Sequence, residues 1–283
     1  MAAIAFALGC SVLWGLADFL GGLKSRTFPV PVVLGAMYLS SLTVLALFVG
    51  ARGEGPPPIE SVVAALSAGL VGIAGLMAFY RALAIGTRIL SAPLPATGVA
   101  LPVLVGIATG DQPGLVRSVG LGAAVVGIVL ASREDDGGAR DVRQQRQSVL
   151  LAIVAGVGFG SYFVLAEIAS RGDVAWALVL SRLAALPFVA GFAVLALRRG
   201  GRRPAGRQLA ALAALGVLDL AATAAYNHAT TLGELSTVAV ASSLYPVMTV
   251  LLAALVLGER VRGVQRVGIL VSLGGVMMIA AGA

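Results

Sequence analysis

Charge is scarce in this chain of 283 residues: only 12% of them are charged, and there is one cysteine and one histidine. A soluble domain carries about 25% charged residues. Cys10 has no partner within the chain, so an internal disulfide and a cysteine metal cluster are both excluded. No Ser/His/Asp set, HExxH helix or paired-carboxylate arrangement is present, so an enzyme has no residues to work with. No metal or other cofactor is expected. The N-terminus lacks a basic stretch, and its apolar run, MAAIAFALGCSVLWGLADFLGG, has the length of a membrane span, which reads as a first helix and not a cleaved signal. The run Gly156-Val157-Gly158-Phe159-Gly160 superficially looks like a nucleotide loop, but it lies within an apolar span and follows no strand.

What the chain has instead is apolar length and glycine. Apolar residues make up 59% of it, and 37 residues are glycine. Membrane helices use small residues to approach closely, because lipid gives them no hydrophobic reason to associate. The length allows about ten spans of roughly 20 residues. They fall near 3–22, 31–50, 62–86, 89–109, 115–132, 148–170, 174–197, 208–232, 235–257 and 263–282. The net charge of +7 sits in short loops between these runs, where arginine sets topology and meets lipid headgroups. The expected partners are therefore the lipid bilayer and a small-molecule substrate, with no nucleic acid.

The one long polar segment, 133–147, splits the chain into a first five-helix unit, 1–132, and a second, 148–283. The two units resemble each other. Trp14-Gly15 matches Phe159-Gly160, and Ser25-Arg26 matches Ser170-Arg171, both 145 residues apart. Gly86 matches Gly233 at 147, while Gly110-Asp111 matches Gly258-Glu259 and Val119-Gly120 matches Val267-Gly268 at 148. Five spans is an odd number, so the second copy must enter the membrane upside down, giving two inverted repeats. Loops after odd-numbered spans hold fifteen basic residues and loops after even-numbered spans hold three. That asymmetry places the odd loops in the cytoplasm and both termini outside an inner (cytoplasmic) membrane crossed many times.

Six ionisable residues inside the spans are candidates for a site: Asp18, Arg81, Glu167, Arg182, Asp219 and His228. Charge at such depth costs several kcal/mol, so it marks a cavity or a partner. At 1.5 Å of rise per residue, Asp219 lies roughly 16 Å and Arg182 roughly 12 Å from the ends of their helices, at similar depth near mid-membrane. Asp219, Thr223, Tyr226 and Thr230 share one helical face with Asn227 at its edge, while His228 points the other way. This face is either polar glue between helices or the lining of a binding site. Ser242, Tyr245 and Thr249 form a second polar stripe, and Ser11, Trp14 and Asp18 a third. Asp18, in the inner third, is placed to pair with Arg81. Pro93, Pro95 and Pro102 kink or break span four. The candidate substrate-binding residues are Arg182, Asp219, Thr223, Tyr226, Asn227, Tyr245, Trp14 and Asp18, with no metal ligands. Arg182 suits a carboxylate or phosphate, and Asp219 an amine or a proton, so proton coupling belongs to the expectation. The oligomeric state is not legible.

Trp14-Gly15, Arg182, Tyr80-Arg81-Ala82-Leu83 and above all Leu244-Tyr245-Pro246-Val247 running on to Gly258-Glu259-Arg260 resemble the EamA-type transporters of the drug/metabolite transporter superfamily. The resemblance covers the whole chain and implies an all-α membrane protein, ten transmembrane helices in two inverted five-helix repeats around a central cavity. The first half departs from it: Met37 stands at the repeat position of Arg182, and Asp111 at that of Glu259. The expected function is secondary transport of a small polar metabolite, an amino acid or related compound, in the direction of export and by alternating access. A passive channel-like facilitator and a non-transporting scaffold or sensor are the alternatives. The topology is open to test in a Cys10-free chain carrying Gly137→Cys or Ala283→Cys. A membrane-impermeant thiol reagent on intact cells should label Ala283→Cys only, and labelling of Gly137→Cys would invert the orientation.

Overall fold

The apolar runs become helices, and each helix stops where the sequence supplies a reason. A computed structural model describes residues 1–85, 97–131, 142–258, 261 and 263–282. Its helices are α1 (Ala2–Ser25), α2 (Val30–Arg52), α3 (Ile59–Ile85), α4 (Ala100–Thr109), α5 (Leu115–Ala131), α6 (Val142–Ser170), α7 (Val174–Arg198), α8 (Arg207–Leu232), α9 (Leu235–Ser242), α10 (Tyr245–Leu257) and α11 (Gly263–Ala281), with a 3₁₀ turn at Thr97–Val99 leading into α4. No strand occurs among the described residues. Gly53 and Gly258 end α2 and α10 at φ 65° and 69°, a left-handed conformation that glycine adopts without a side-chain clash. Asp173 starts α7 by accepting the Trp176 N–H at 2.8 Å, one of the donors a helix start leaves unpaired.

Eight of these helical segments, with α9 and α10 counted together as Leu235–Leu257, are long and apolar enough to cross a membrane, and α4 and α5 are shorter apolar helices. The chain is an integral multi-pass membrane protein. Its packing suits lipid. Large side chains such as Leu47, Leu255 and Leu270 face outward, while Ala7, Ala124, Ala155, Ala222 and Ala229 are buried.

Two details differ from the expected boundaries. α6 begins at Val142, inside the segment read as a polar linker, because its Gln and Arg residues are good helix formers even outside the bilayer. Span nine is broken at Ser243-Leu244, since Pro246 at the start of α10 has no N–H to bond back along the helix. Pro93 and Pro95 of span four, the corner residues Glu259, Arg260 and Arg262, Gly86, Arg88 and residues 133–141 of the linker lie outside the described residues.

Glycine decides how closely the helices meet. A Cβ on Gly127 would strike the backbone of Ser272 and Gly268, and one on Gly120 the backbone of Gly275 and Ile279, so α5 and α11 touch backbone to backbone. Gly69 meets Ser181, and Gly216 meets Met37. Gly15 meets Tyr245 and Met248, and Gly160 meets Gly98 and Leu101. The glycines that looked like a nucleotide loop have this task too: Gly156 and Gly160 lie against Gly98, and Gly158 against Gly75. Extra atoms in a packed interior cost about 1–3 kcal/mol, more where backbone cannot move. Gly127→Leu should lower the Tm of the purified protein by several degrees or abolish its folded peak. Gly122→Leu, where a Cβ meets nothing within 4 Å, should leave both unchanged. Equal Tm values for the two variants would refute a packing role for Gly127.

Candidate functional site

Arg182 on α7 and Asp219 on α8, expected at similar depth, meet directly. Arg182 Nη2 donates to Asp219 Oδ2 at 2.7 Å. The same nitrogen lies 3.2 Å from Thr223 Oγ1, whose proton goes to the Asp219 carbonyl at 2.8 Å. Above the guanidinium stands the Tyr38 ring, with its centroid 4.7 Å from Cζ. A carboxylate, a hydroxyl and an aromatic face thus surround one cation, and Arg182 is only 6% exposed. Asp219 is more open, and its side chain is 20% exposed. Its Oδ1 accepts no hydrogen bond among the described residues.

Further along the same face of α8, the side chains turn inward to hold the wall. Tyr226 is fully buried and donates its hydroxyl to the Phe163 carbonyl at 2.9 Å. Asn227, also buried, donates to the Thr223 carbonyl at 2.8 Å and lies 2.6 Å from Ser170 Oγ. Thr223 and Thr230 are buried as well. His228, on the other side of the helix, is exposed and meets Phe6 edge-on at 4.7 Å.

Trp14 links this wall to α10. Its ring stacks near Tyr226 at 5.9 Å and meets Tyr245 edge-on at 5.9 Å, with Phe163 at 6.0 Å. Trp14 and Tyr245 are half-buried. One turn on from Trp14, Asp18 is exposed, yet deep within the protein and in electrostatic range of Asp219 and Tyr245. Asp18 makes no hydrogen bond or ion pair among the described residues, so the expected pairing with Arg81 is absent. Arg81 is exposed near the end of α3.

The sequence did not point to Tyr38, Tyr162 or Ser170. Tyr38 had a usable signal: it follows Met37, the repeat counterpart of Arg182, so it sits at the depth of the cation. Tyr162 packs against Gly72, the counterpart of Asp219, and nothing in its own surroundings marked it.

One end of the helices is tied across the two halves of the chain. Arg52 reaches Asp173 with both its amino groups, at 3.2 and 2.8 Å, and also pairs with Glu54. Arg117 pairs with Glu234 and donates to the Gly282 carbonyl at 3.2 Å. Asp111 Oδ2 accepts the Ser236 N–H at 2.9 Å. Partial burial alone would raise the Asp173 carboxyl, but the Arg52 guanidinium and the N–H groups of Trp176 and Ala175 more than offset it and hold it below its ordinary value.

The Arg182–Asp219 pair carries a prediction. Breaking a buried pair from one side strands the other charge, at roughly 3–5 kcal/mol. Arg182→Gln and Asp219→Asn should each lower the Tm, and the double variant should recover much of the loss. Strictly additive losses in this double-mutant cycle would show that the two residues do not depend on each other.

No curated protein matches the sequence. One solved structure, described as "Crystal structure of protein", superposes with a TM-score of 0.77 over 100% of this chain and 99% of its own, at 19% sequence identity. At that identity the likeness is one of fold alone. The model of the EamA-like transporter family matches residues 146–281, which hold α7 to α11 and both members of the ion pair. The second half of the chain is thus similar to the EamA-like transporter family.

Proposed function

We propose that this protein is a secondary transporter of the drug/metabolite type, moving a small polar metabolite, an amino acid or related compound, out across the cytoplasmic membrane by alternating access. Its ten helices form two inverted five-helix units, 1–132 and 148–283, joined by the polar segment between them, around a central cavity. The glycine contacts support the repeat. Gly120 on Gly275 and Gly268 on Gly127 are the same contact seen from each half, with partners 148 residues apart. Gly15 on Tyr245 and Gly160 on Gly98 correspond in the same way, as do Gly69 on Ser181 and Gly216 on Met37. The helix pairs α3 with α6 and α1 with α8 correspond too, as do α3 with α7 and α2 with α8.

The single observation that carries the transport reading is Asp18. An accessible carboxylate deep among the helices, without a partner among the described residues, is what a path for polar molecules needs and what a purely structural bundle avoids. The half-open Asp219 beside it, with Trp14 and Tyr245, completes the accessible set. Arg182, Thr223, Tyr226 and Asn227 form the layer behind. Loss of the ties at one end, with closure at the other, is the movement that alternating access requires.

The test is flux. Purified protein in liposomes loaded with an isotopically labelled amino-acid mixture should release particular compounds, and unlabelled compound outside should accelerate that release. The Arg182→Gln/Asp219→Asn double variant, inserted at equal amounts, should carry less than a tenth of the wild-type flux. Release without acceleration by outside compound would mean a channel. No release, together with no thermal shift from any metabolite offered, would mean a scaffold. Collapsing an imposed proton gradient shows whether protons drive the flux.

A further inference from the structure

A charge count at the accessible set gives the class of substrate. Asp219 is neutralised by Arg182 at 2.7 Å. Asp18 has no cation against it among the described residues, and its charged neighbour is Asp219, of the same sign. With Asp18 ionised, the set carries one negative charge that no cation among the described residues answers, and charge without a partner is costly within a membrane protein.

The exposure of Asp18 is not exposure to lipid. Asp18 shares a face of α1 with Ser11 and Gly15, and Gly15 packs on the Tyr245 backbone. Its open side therefore looks inward, towards the half-buried rings of Trp14 and Tyr245. Aromatic faces attract cations and accept apolar bodies. An anion finds no equivalent place. Nη2 of Arg182 is engaged by Asp219 and Thr223, the Tyr38 ring covers the face of the guanidinium, and the residue is buried, so a substrate carboxylate has little access to it.

Resting on the transport reading above, we propose that the substrate carries an ammonium group, that Asp18 is its counter-ion, and that Trp14 and Tyr245 take the apolar part next to it. A zwitterion binds through its amine, and its carboxylate contributes little.

Three probes of one shape and different charge test this: phenethylamine, phenylalanine and phenylacetate, titrated against the purified full-length protein by thermal shift. Phenethylamine should saturate at a concentration at least tenfold below that of phenylalanine, and phenylacetate should give no saturable shift. Asp18→Asn should keep the ligand-free Tm and weaken phenethylamine at least tenfold, whereas Asp18→Glu should retain the ranking. No saturation by phenethylamine, equal or better binding of phenylacetate, or undiminished amine binding by Asp18→Asn would each overturn the proposal. The last result would assign Asp18 to protons only. Should Asp18→Asn fail to fold, the wild-type ranking and Asp18→Glu still decide. Flux of uncharged or anionic compounds alone would sink the charge class and leave transport standing. Amine binding without flux would do the reverse.

Discussion

Helices in lipid gain nothing from hiding leucine from leucine, so what holds this bundle is contact between backbones. That contact needs glycine at both ends of the reach: Gly120 and Gly127 on α5 against Gly275 and Gly268 on α11, Gly75 on α3 against Gly158 on α6. Larger residues then have only one place to go, and Leu47, Leu255 and Leu270 face outward. The same rule sets the position of Trp14. Gly15 lets α1 lie on the start of α10, and only at that separation do the rings of Trp14 and Tyr245 meet at 5.9 Å.

Within that frame one cation has to be accommodated. Arg182 is held by three chemistries at once, a carboxylate, a hydroxyl and an aromatic face. Each comes from an element already fixed by glycine contacts: α8 through Gly216 on Met37, and α2 through the same contact. Thr223 also bonds the carbonyl of Asp219 one turn earlier, so the acid and the hydroxyl move together with the helix. The pair is thus a property of how α2, α7 and α8 pack, and the accessible carboxylates owe their different characters to it. Asp219 has its charge answered by Arg182; Asp18 has no such answer among the described residues.

Much of this was legible in the sequence, and the limits are physical. The positions of eight spans followed from apolar length. The common depth of Arg182 and Asp219 followed from helical rise, and the outward turn of His228 from helical periodicity. Periodicity, however, gives the direction of a side chain and not what stands in front of it. Tyr226 lies on the face of Asp219, yet Phe163 and Trp14 cover it completely. The break at Ser243-Leu244 was written in Pro246, but an apolar run of full length concealed it. Tyr38 became significant only once packing placed it beside a cation from the other half.

The two ends of the molecule differ in their polar contacts. At one end, three polar contacts join the halves: Arg52 with Asp173, Arg117 with Glu234, and Asp111 with the Ser236 N–H. Carried over by the repeat offsets, Asp173 corresponds to Phe28, Arg117 to Gln265 and Glu234 to Thr87. None of these can form the matching ion pair. Phe28 instead receives Arg202 over its ring, at 5.7 Å. Half-exposed ion pairs and cation–π contacts are each worth only about 0.5–1 kcal/mol, so neither end is locked. Several such contacts at one end and a different chemistry at the other are nonetheless enough to make the two halves of the chain meet unequally. Glycine stands at the contact positions of both halves, so the backbone contacts are alike; charge stands in one half only at the positions compared, so the charged contacts are not.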